Sequence, residues 1–149
     1  MDIRKALREE IPRIAQMERD TFSEPWTETD LVDALGAEHV IFLVAATGNE
    51  VLAYGILFCA ADEGELAVLA VHPLHRRQGV GRTLLKVLMQ TAAGRGVSKI
   101  YLEVRRSNEA AQRVYETCGF VGRGERKHFY RFPDEDALVM EKDLREDIC

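Results

Sequence analysis

The spacing of apolar positions changes repeatedly along the chain, and each change predicts an element. A short opening run, IRKAL, fits a strand. Ile11, Ile14, Met17 and Phe22 then recur at helical intervals, with Pro12 in the first turn, where its missing N–H is harmless. The stretch PWTETDLVDALG predicts a second, short helix, capped by Thr27 with Asp30 three residues on and closed by Gly36 at the C′ position. Two β-rich runs follow, VIFLVAAT and VLAYGILFCA, and the Gly48, Asn49 and Glu50 between them carry hairpin chemistry. A third run, ELAVLAVHP, stops at Pro73. In GRTLLKVLMQTAAGRG the residues Leu84, Leu85, Leu88 and Met89 share one helical face, and the helix should end at Gly94 or Gly96. KIYLEV predicts a fourth strand, SNEAAQRVYETCG a helix closed by Gly119, and the remainder a final pair of strands. An antiparallel meander followed by alternating strands and helices implies an α/β fold: a mixed, mainly antiparallel sheet with helices on both faces.

Composition narrows the class. The chain has 149 residues, 46% hydrophobic and 30% charged, the profile of an ordinary soluble globule, and we expect a single domain over residues 1–149. No apolar run approaches the length of a membrane span, and MDIRKALREE lacks the apolar core of a signal peptide, so a cytoplasmic location is expected. A net charge of −5 gives no global attraction for nucleic acid, so any bound anion must be held by a local cluster. Cys59, Cys118 and Cys149 are widely spaced. Two read as small buried hydrophobes, Cys149 as a free terminal thiol, and neither they nor His39, His72, His75 and His128 have metal-site spacing.

The stretch RRQGVGRTLL, Arg76 to Leu85, joins the third strand to a helix. A helix N-terminus offers unpaired N–H groups and a partial positive charge, glycines let a ligand approach the backbone, and three arginines add full charges. A phosphate or pyrophosphate suits such a turn. A plain strand-to-helix reversal with solvated arginines suits the residues equally, and the pattern alone leaves both open. A P-loop would need GxxxxGK and a dinucleotide fingerprint a third glycine, and GVGRTL supplies neither.

HRRQGVGRTLL resembles the RxxGxG pyrophosphate loop of the GCN5-related N-acetyltransferase (GNAT) superfamily, with Arg76, Gly79 and Gly81 in the motif positions. LAVLAVHP is similar to that family's central strand and SNEAAQRVYETCGF to its late helix. Within the superfamily, PWTE, YLEVRRSN and RKHFY…ALVMEKDL resemble the RimI-type ribosomal-protein alanine acetyltransferases. The resemblance implies acetyl-coenzyme A as co-substrate. Its pantetheine arm would lie along Leu69, Ala70 and Val71, pairing with the backbone of Leu69 and Val71. Its pyrophosphate would sit in the loop of Arg76, Arg77, Gln78, Gly79, Val80, Gly81 and Arg82, with Asn108 as a further contact.

Acetyl transfer to an amine needs a neutral amine, a stabilised oxyanion and a proton for the leaving thiolate. Glu103 interrupts an apolar strand, although it could simply share a polar face with Tyr101 and Arg105; the resemblance implies that it is the general base. An α-amine has a pKa near 7.8 against about 10.4 for lysine, so at pH 7.5 roughly a third of the former is neutral and only about a thousandth of the latter. Such an acceptor needs modest help. Tyr115 lies on the core-facing stripe of its helix, where a boundary tyrosine is equally natural, and the resemblance implies a proton donor to sulfur, with a backbone N–H near Leu69 meeting the oxyanion. The resemblance places Trp26 and Tyr130 beside a peptide groove, although Trp26 could equally be a hydrophobic plug under its loop. His128 and Phe129 depart from the family's NYY pattern there, and Asp62, Glu63 and Glu65 could draw in a charged N-terminus or merely form a solvated turn. The expected activity is acetylation of an N-terminal alanine, as on a small-subunit ribosomal protein. A lysine or small-amine acetyltransferase and a non-catalytic acyl-coenzyme A sensor are the alternatives.

Overall fold

In the computed structural model, which describes residues 1–146, local chemistry places most boundaries where the pattern puts them. Strand β1 (Asp2–Lys5) leads through a turn to helix α1 (Ile11–Thr21) and helix α2 (Glu28–Gly36). Thr27 Oγ1 accepts the Asp30 N–H at 3.1 Å while the Asp30 carboxylate accepts the Thr27 N–H at 3.0 Å, a reciprocal capping box. Two expectations fail here. Phe22 is not part of the first helix, whose last residue is Thr21; it is the extended C-cap, with an exposed ring. Gly36 does not sit past the second helix in a left-handed conformation but is its final residue, and the chain leaves through extended Ala37.

Strands β2 (Val40–Thr47), β3 (Glu50–Ala60) and β4 (Glu63–Val71) form the meander. Gly48 takes φ +59° in the tight β2–β3 turn, and Glu50 already belongs to β3, opposite Thr47. Helix α3 (Val80–Gly94), strand β5 (Lys99–Arg105), helix α4 (Glu109–Thr117) and strands β6 (Val121–Tyr130) and β7 (Glu135–Asp143) complete the chain. The seven-stranded sheet has the order β1-β2-β3-β4-β5-β7-β6, and only the β4–β5 pair is parallel. The last hairpin therefore folds back so that β7, not β6, lies beside β5.

Helices cover both faces. Ile11, Ile14 and Met17 of α1 and Leu31 of α2 pack on Phe42, Val44, Tyr54, Ile56 and Val68. On the other face Leu84, Leu85, Leu88 and Met89 of α3 meet Ile100, Leu102 and Val104 of β5, joined by Tyr115 and Phe120. Gly55 permits the close approach of α3, since a Cβ there would stand 2.5 Å from Leu88 Cδ1. Cys118 is buried as expected, whereas Cys59 is half-exposed, and Cys149 lies outside the described residues. No helix among the described residues is long and apolar enough to cross a membrane.

The feature that positions the site is a split in the sheet. Ile56 pairs with Val68 and Leu57 with Leu66, so Ala67 is an extra residue on β4, a bulge that sharpens twist. Ala67 and Val68 consequently both face α1 and α2, and Leu69 and Val71 return to the α3 side. β4 and β5 pair only from Glu63↔Lys99 to Glu65↔Tyr101. Beyond that point β4 continues to Val71 and β5 to Arg105 with a gap between them.

Candidate active site

Antiparallel backbones alternate between facing one neighbour and facing the other. The His72 N–H donates to Leu52 O at 2.8 Å, so Ala70 and Val68 share its direction toward β3, and the N–H and C=O groups of Leu69 and Val71 face the gap. One is committed: Arg76 Nε donates to Val71 O at 3.0 Å. The Leu69 groups and the Val71 N–H remain directed at whatever lies along the β4 edge, in the manner of an added strand.

The gap leads to the N-terminus of α3. Arg77 (φ +64°) and Gly79 (φ +78°) are left-handed, which reverses the chain sharply before the helix. Thr83 N and Thr83 Oγ1 both reach Gly79 O, so the N–H groups of Val80, Gly81 and Arg82 precede the first intrahelical bond. Gly81 lies close to β4: a Cβ there would stand 3.2 Å from Val71 Cγ2, a tight contact that Val71 would have to yield to. No atom lies within 4 Å of a Cβ built on Gly79, and Arg76, Arg77, Gln78 and Arg82 are exposed around it. Val80 is buried and anchors the helix. His72 caps the preceding turn through Nδ1, and His75 pairs with Glu50 at 3.3 Å. An amide-bearing arm along β4 and a pyrophosphate at α3 fit these groups.

On β5, Ile100, Leu102 and Val104 enter the α3-side core, so Tyr101, Glu103 and Arg105 face the other way, on a part of the sheet that α1 and α2 leave uncovered. The Glu103 side chain keeps only 11% of its exposure. Burial raises its pKa, the Glu65 carboxylate adds to the rise, and Arg126, 3.5 Å away, offsets part of it. A carboxylate held above its ordinary value in a gap is placed for base chemistry.

Tyr115 approaches from the opposite face. Its helix ends in a Schellman motif: Gly119, at φ +89°, donates to Glu116 O and Phe120 donates to Tyr115 O, both at 3.0 Å. That reversal brings the Phe120 ring to 5.7 Å from the Tyr115 ring and fixes it. Burial raises the Tyr115 pKa, and neighbouring Tyr130 raises it further, so the phenol stays protonated and has a proton to donate. Tyr130 is itself pushed up to about 12 by burial and by Glu103. Glu103 and Tyr115, on opposite faces of the sheet, thus each lie within electrostatic range of Tyr130.

Of the remaining expected residues, Asn108 caps α4 by accepting the Ala111 N–H at 3.1 Å, which leaves its Nδ2 as the group it can offer a ligand. Trp26 lies between α1 and α2, stacked on Phe58 at 6.0 Å, and lines an open groove of about 580 Å³ with Glu24, Asp33 and His39. Glu65 joins the Glu103 neighbourhood. Asp62 instead holds Ser98 in a turn, and Glu63 is exposed at the start of β4. His128 is exposed at φ +53° in the irregular part of β6 and binds Asp134 at 2.7 Å. Two residues escaped the sequence reading. Glu18 is 1% exposed and accepts the Trp26 N–H at 2.9 Å and the Tyr54 hydroxyl; it occupies the apolar stripe of Ile11 and Ile14, which was a visible signal. Arg105 binds chain segments distant in sequence, for which a strand pattern holds no signal. Among the described residues no group of three His, Cys, Asp or Glu side chains is placed to hold a metal ion.

A model of the acetyltransferase (GNAT) family matches residues 11–120. The chain is 35% identical over 133 residues to the [ribosomal protein bS18]-alanine N-acetyltransferase of Escherichia coli K12, covering 88% of this chain and 89% of that protein. It is 33% identical over 142 residues to the N-alpha-acetyltransferase RimI of Mycobacterium tuberculosis, covering 91% and 88%. The crystal structure of the ribosomal-protein-S18-alanine N-acetyltransferase from Escherichia coli superposes with a TM-score of 0.87 at 31% identity, covering 96% of this chain and 93% of that one.

Proposed function

This chain belongs to the acetyltransferase (GNAT) family, and on that footing we propose that it acetylates the α-amine of an N-terminal alanine, with ribosomal protein bS18 as the acceptor. It is an acetyl-coenzyme A-dependent N-acetyltransferase, and the reading takes the whole chain as one domain working in the cytoplasm on a protein substrate. The observation that supports the reading is the split between β4 and β5, beside which Glu103 and Tyr115 lie on opposite faces of the sheet.

Acetyl-coenzyme A supplies the acetyl group as a thioester. The β4 edge at Leu69 and Val71 holds the arm in extended form, and the loop from Arg76 to Arg82 holds the pyrophosphate. Glu103 takes a proton from the α-ammonium group, directly or through one water. The neutral nitrogen then attacks the acetyl carbon, and the Leu69 N–H meets the developing oxyanion. As the C–S bond breaks, Tyr115 Oη gives its proton to the departing sulfur, a thiolate with a pKa of about 8.5 against a raised phenol, an uphill transfer drawn on by loss of the thiol product; the second proton shed by the acylated nitrogen passes to solvent, from which the tyrosinate is reprotonated. The open groove lined by Trp26, Asp33 and His39 is a separate surface feature whose size suits a peptide.

Intact-mass measurement of two peptides incubated with acetyl-coenzyme A and the protein tests the reading. One peptide begins with a free alanine and has no lysine; the other has a blocked N-terminus and one internal lysine. A gain of one acetyl on the first alone is expected, and a gain on the second alone would overturn the α-amine assignment.

A further inference from the structure

We propose that Arg105 is a positioning residue for the acceptor: its guanidinium clamps the loop after α1 to the turn between β6 and β7 and so sets the walls of the acceptor groove. The inference rests on the acceptor reading given above and identifies what holds that groove in shape.

Arg105 stands two residues beyond Glu103 on the same face of β5, so base and clamp share one rigid strand. Its Nη1 donates to Pro133 O at 2.9 Å and to Glu135 Oε1 at 3.1 Å. Its Nη2 donates to Ser23 Oγ at 3.0 Å and to Arg131 O at 2.9 Å. The guanidinium carbon lies 4.5 Å from the centre of the Tyr130 ring, within cation–π range. Ser23 closes the figure, since its hydroxyl donates to Arg131 O at 2.8 Å while accepting from Arg105. One planar fork thus joins segments 82 and 26 residues away in the chain.

One joined segment leads into the Trp26 groove, and the other carries a neighbour of the proposed base and acid. Ser23 precedes Glu24, Pro25 and Trp26, which line the groove, and Tyr130 borders Glu103 and Tyr115. The Trp26 end of the loop is tied separately by Glu18, so Arg105 fixes the Ser23 end. Besides the Ser23–Arg131 hydrogen bond, which shares its hydroxyl with Arg105, the two segments are linked by Arg131 with Glu24 at 3.7 Å, an exposed pair that water and salt weaken. The Arg105 side chain is 24% exposed and its bonds are charge-assisted, so it dominates. A lysine keeps the charge over Tyr130 but presents three donors from one point and cannot span the fork.

The test compares wild type with Arg105→Lys. It measures peptide affinity for the coenzyme A-loaded protein by calorimetry, coenzyme A affinity alone, the melting temperature, and kcat and KM with an alanine-starting peptide. Peptide Kd and KM should each rise about tenfold or more, with kcat changed less and coenzyme A affinity held within about twofold. Unchanged peptide affinity overturns the proposal, as does a joint loss of peptide and coenzyme A affinity with a lowered melting temperature, which marks a merely structural residue. Should Arg105→Lys not fold, Ser23→Ala removes the hydroxyl shared by Arg105 and Arg131, and a peptide KM raised about threefold is expected; an unchanged KM overturns the proposal. A wild-type protein that leaves the peptide unmodified overturns the acceptor reading and this inference with it. An active wild type matched by its variants overturns this inference alone.

Discussion

Replacing Glu103 by Gln keeps the size of the side chain and removes its capacity to take a proton. General bases contribute about 10²- to 10⁴-fold, so we expect kcat/KM at pH 7.5 to fall at least about 10²-fold. The pH dependence of that loss identifies the acceptor. In the variant only the amine that is already neutral can react. For an α-amine of pKa near 7.8 the neutral fraction rises from roughly a third at pH 7.5 to about nine-tenths at pH 9, so the loss should shrink by about threefold. For a lysine of pKa about 10.4 the same interval raises the neutral fraction about thirtyfold. In the wild type, the acidic limb of kcat/KM should report Glu103 and lie above the ordinary carboxylate range, because burial and Glu65 both favour its protonated form. The assay is free-thiol release at saturating acetyl-coenzyme A between pH 5 and 9, with the melting temperature as a control on folding. A loss below about fivefold, with a profile parallel to the wild type, would refute the assignment of Glu103 as base.

Tyr115→Phe should lower kcat by about 10²-fold while coenzyme A binding and the stacking on Phe120 persist, checked by single-turnover kinetics beside calorimetry. Gly81→Val places a branched side chain against Val71, since even a first Cβ would stand 3.2 Å from Val71 Cγ2; the Kd for coenzyme A should rise about tenfold or more, read by the same titration. Glu18→Gln should change the pH dependence of stability. Burial holds the Glu18 pKa above its unfolded value, so the folded chain keeps that proton longer and loses stability as pH rises from the ordinary carboxylate range through the folded pKa. Urea melts at pH 4.5 and 7.5 should therefore show the variant gaining on the wild type at the higher pH, and a difference of opposite sign would contradict the burial argument.

Local chemistry carried much of the fold. The Thr27–Asp30 capping box, the Gly48 turn and the Gly119 reversal are set by residues within a few positions of one another, and each lies where its sequence signature put it. The failures are also local. Phe22 continues the apolar interval of α1, but with Ser23 and Pro25 following, the helix stops one residue earlier and leaves the ring outside. The split between β4 and β5 was not legible, because Leu66 to Val71 is apolar throughout and shows no change of phase at Ala67. The order of the last strands was hidden for a related reason: a terminal hairpin can dock by either strand, and the pairing of β7 with β5 is decided by tertiary contacts. Candidate site residues came mainly from resemblance. From pattern alone a polar strand face was the more ordinary explanation for Glu103, and a boundary position an equally ordinary one for Tyr115; the resemblance singled both out. Arg105 lay beyond reach altogether, since its partners come from two loops whose proximity only the folded sheet creates.

The central claim is that the split sheet brings an acetyl group on β4 to an α-amine between Glu103 and Tyr115. The most direct measurement is a crystal structure with a bisubstrate adduct, coenzyme A joined through an acetyl bridge to the α-nitrogen of an alanine-starting peptide. The arm should pair with Leu69 and Val71, with the α-nitrogen within direct or one-water reach of Glu103 and the sulfur within hydrogen-bond distance of Tyr115 Oη. An adduct whose α-nitrogen lies on the far side of the sheet from Glu103, or whose sulfur is out of reach of Tyr115, would contradict the account.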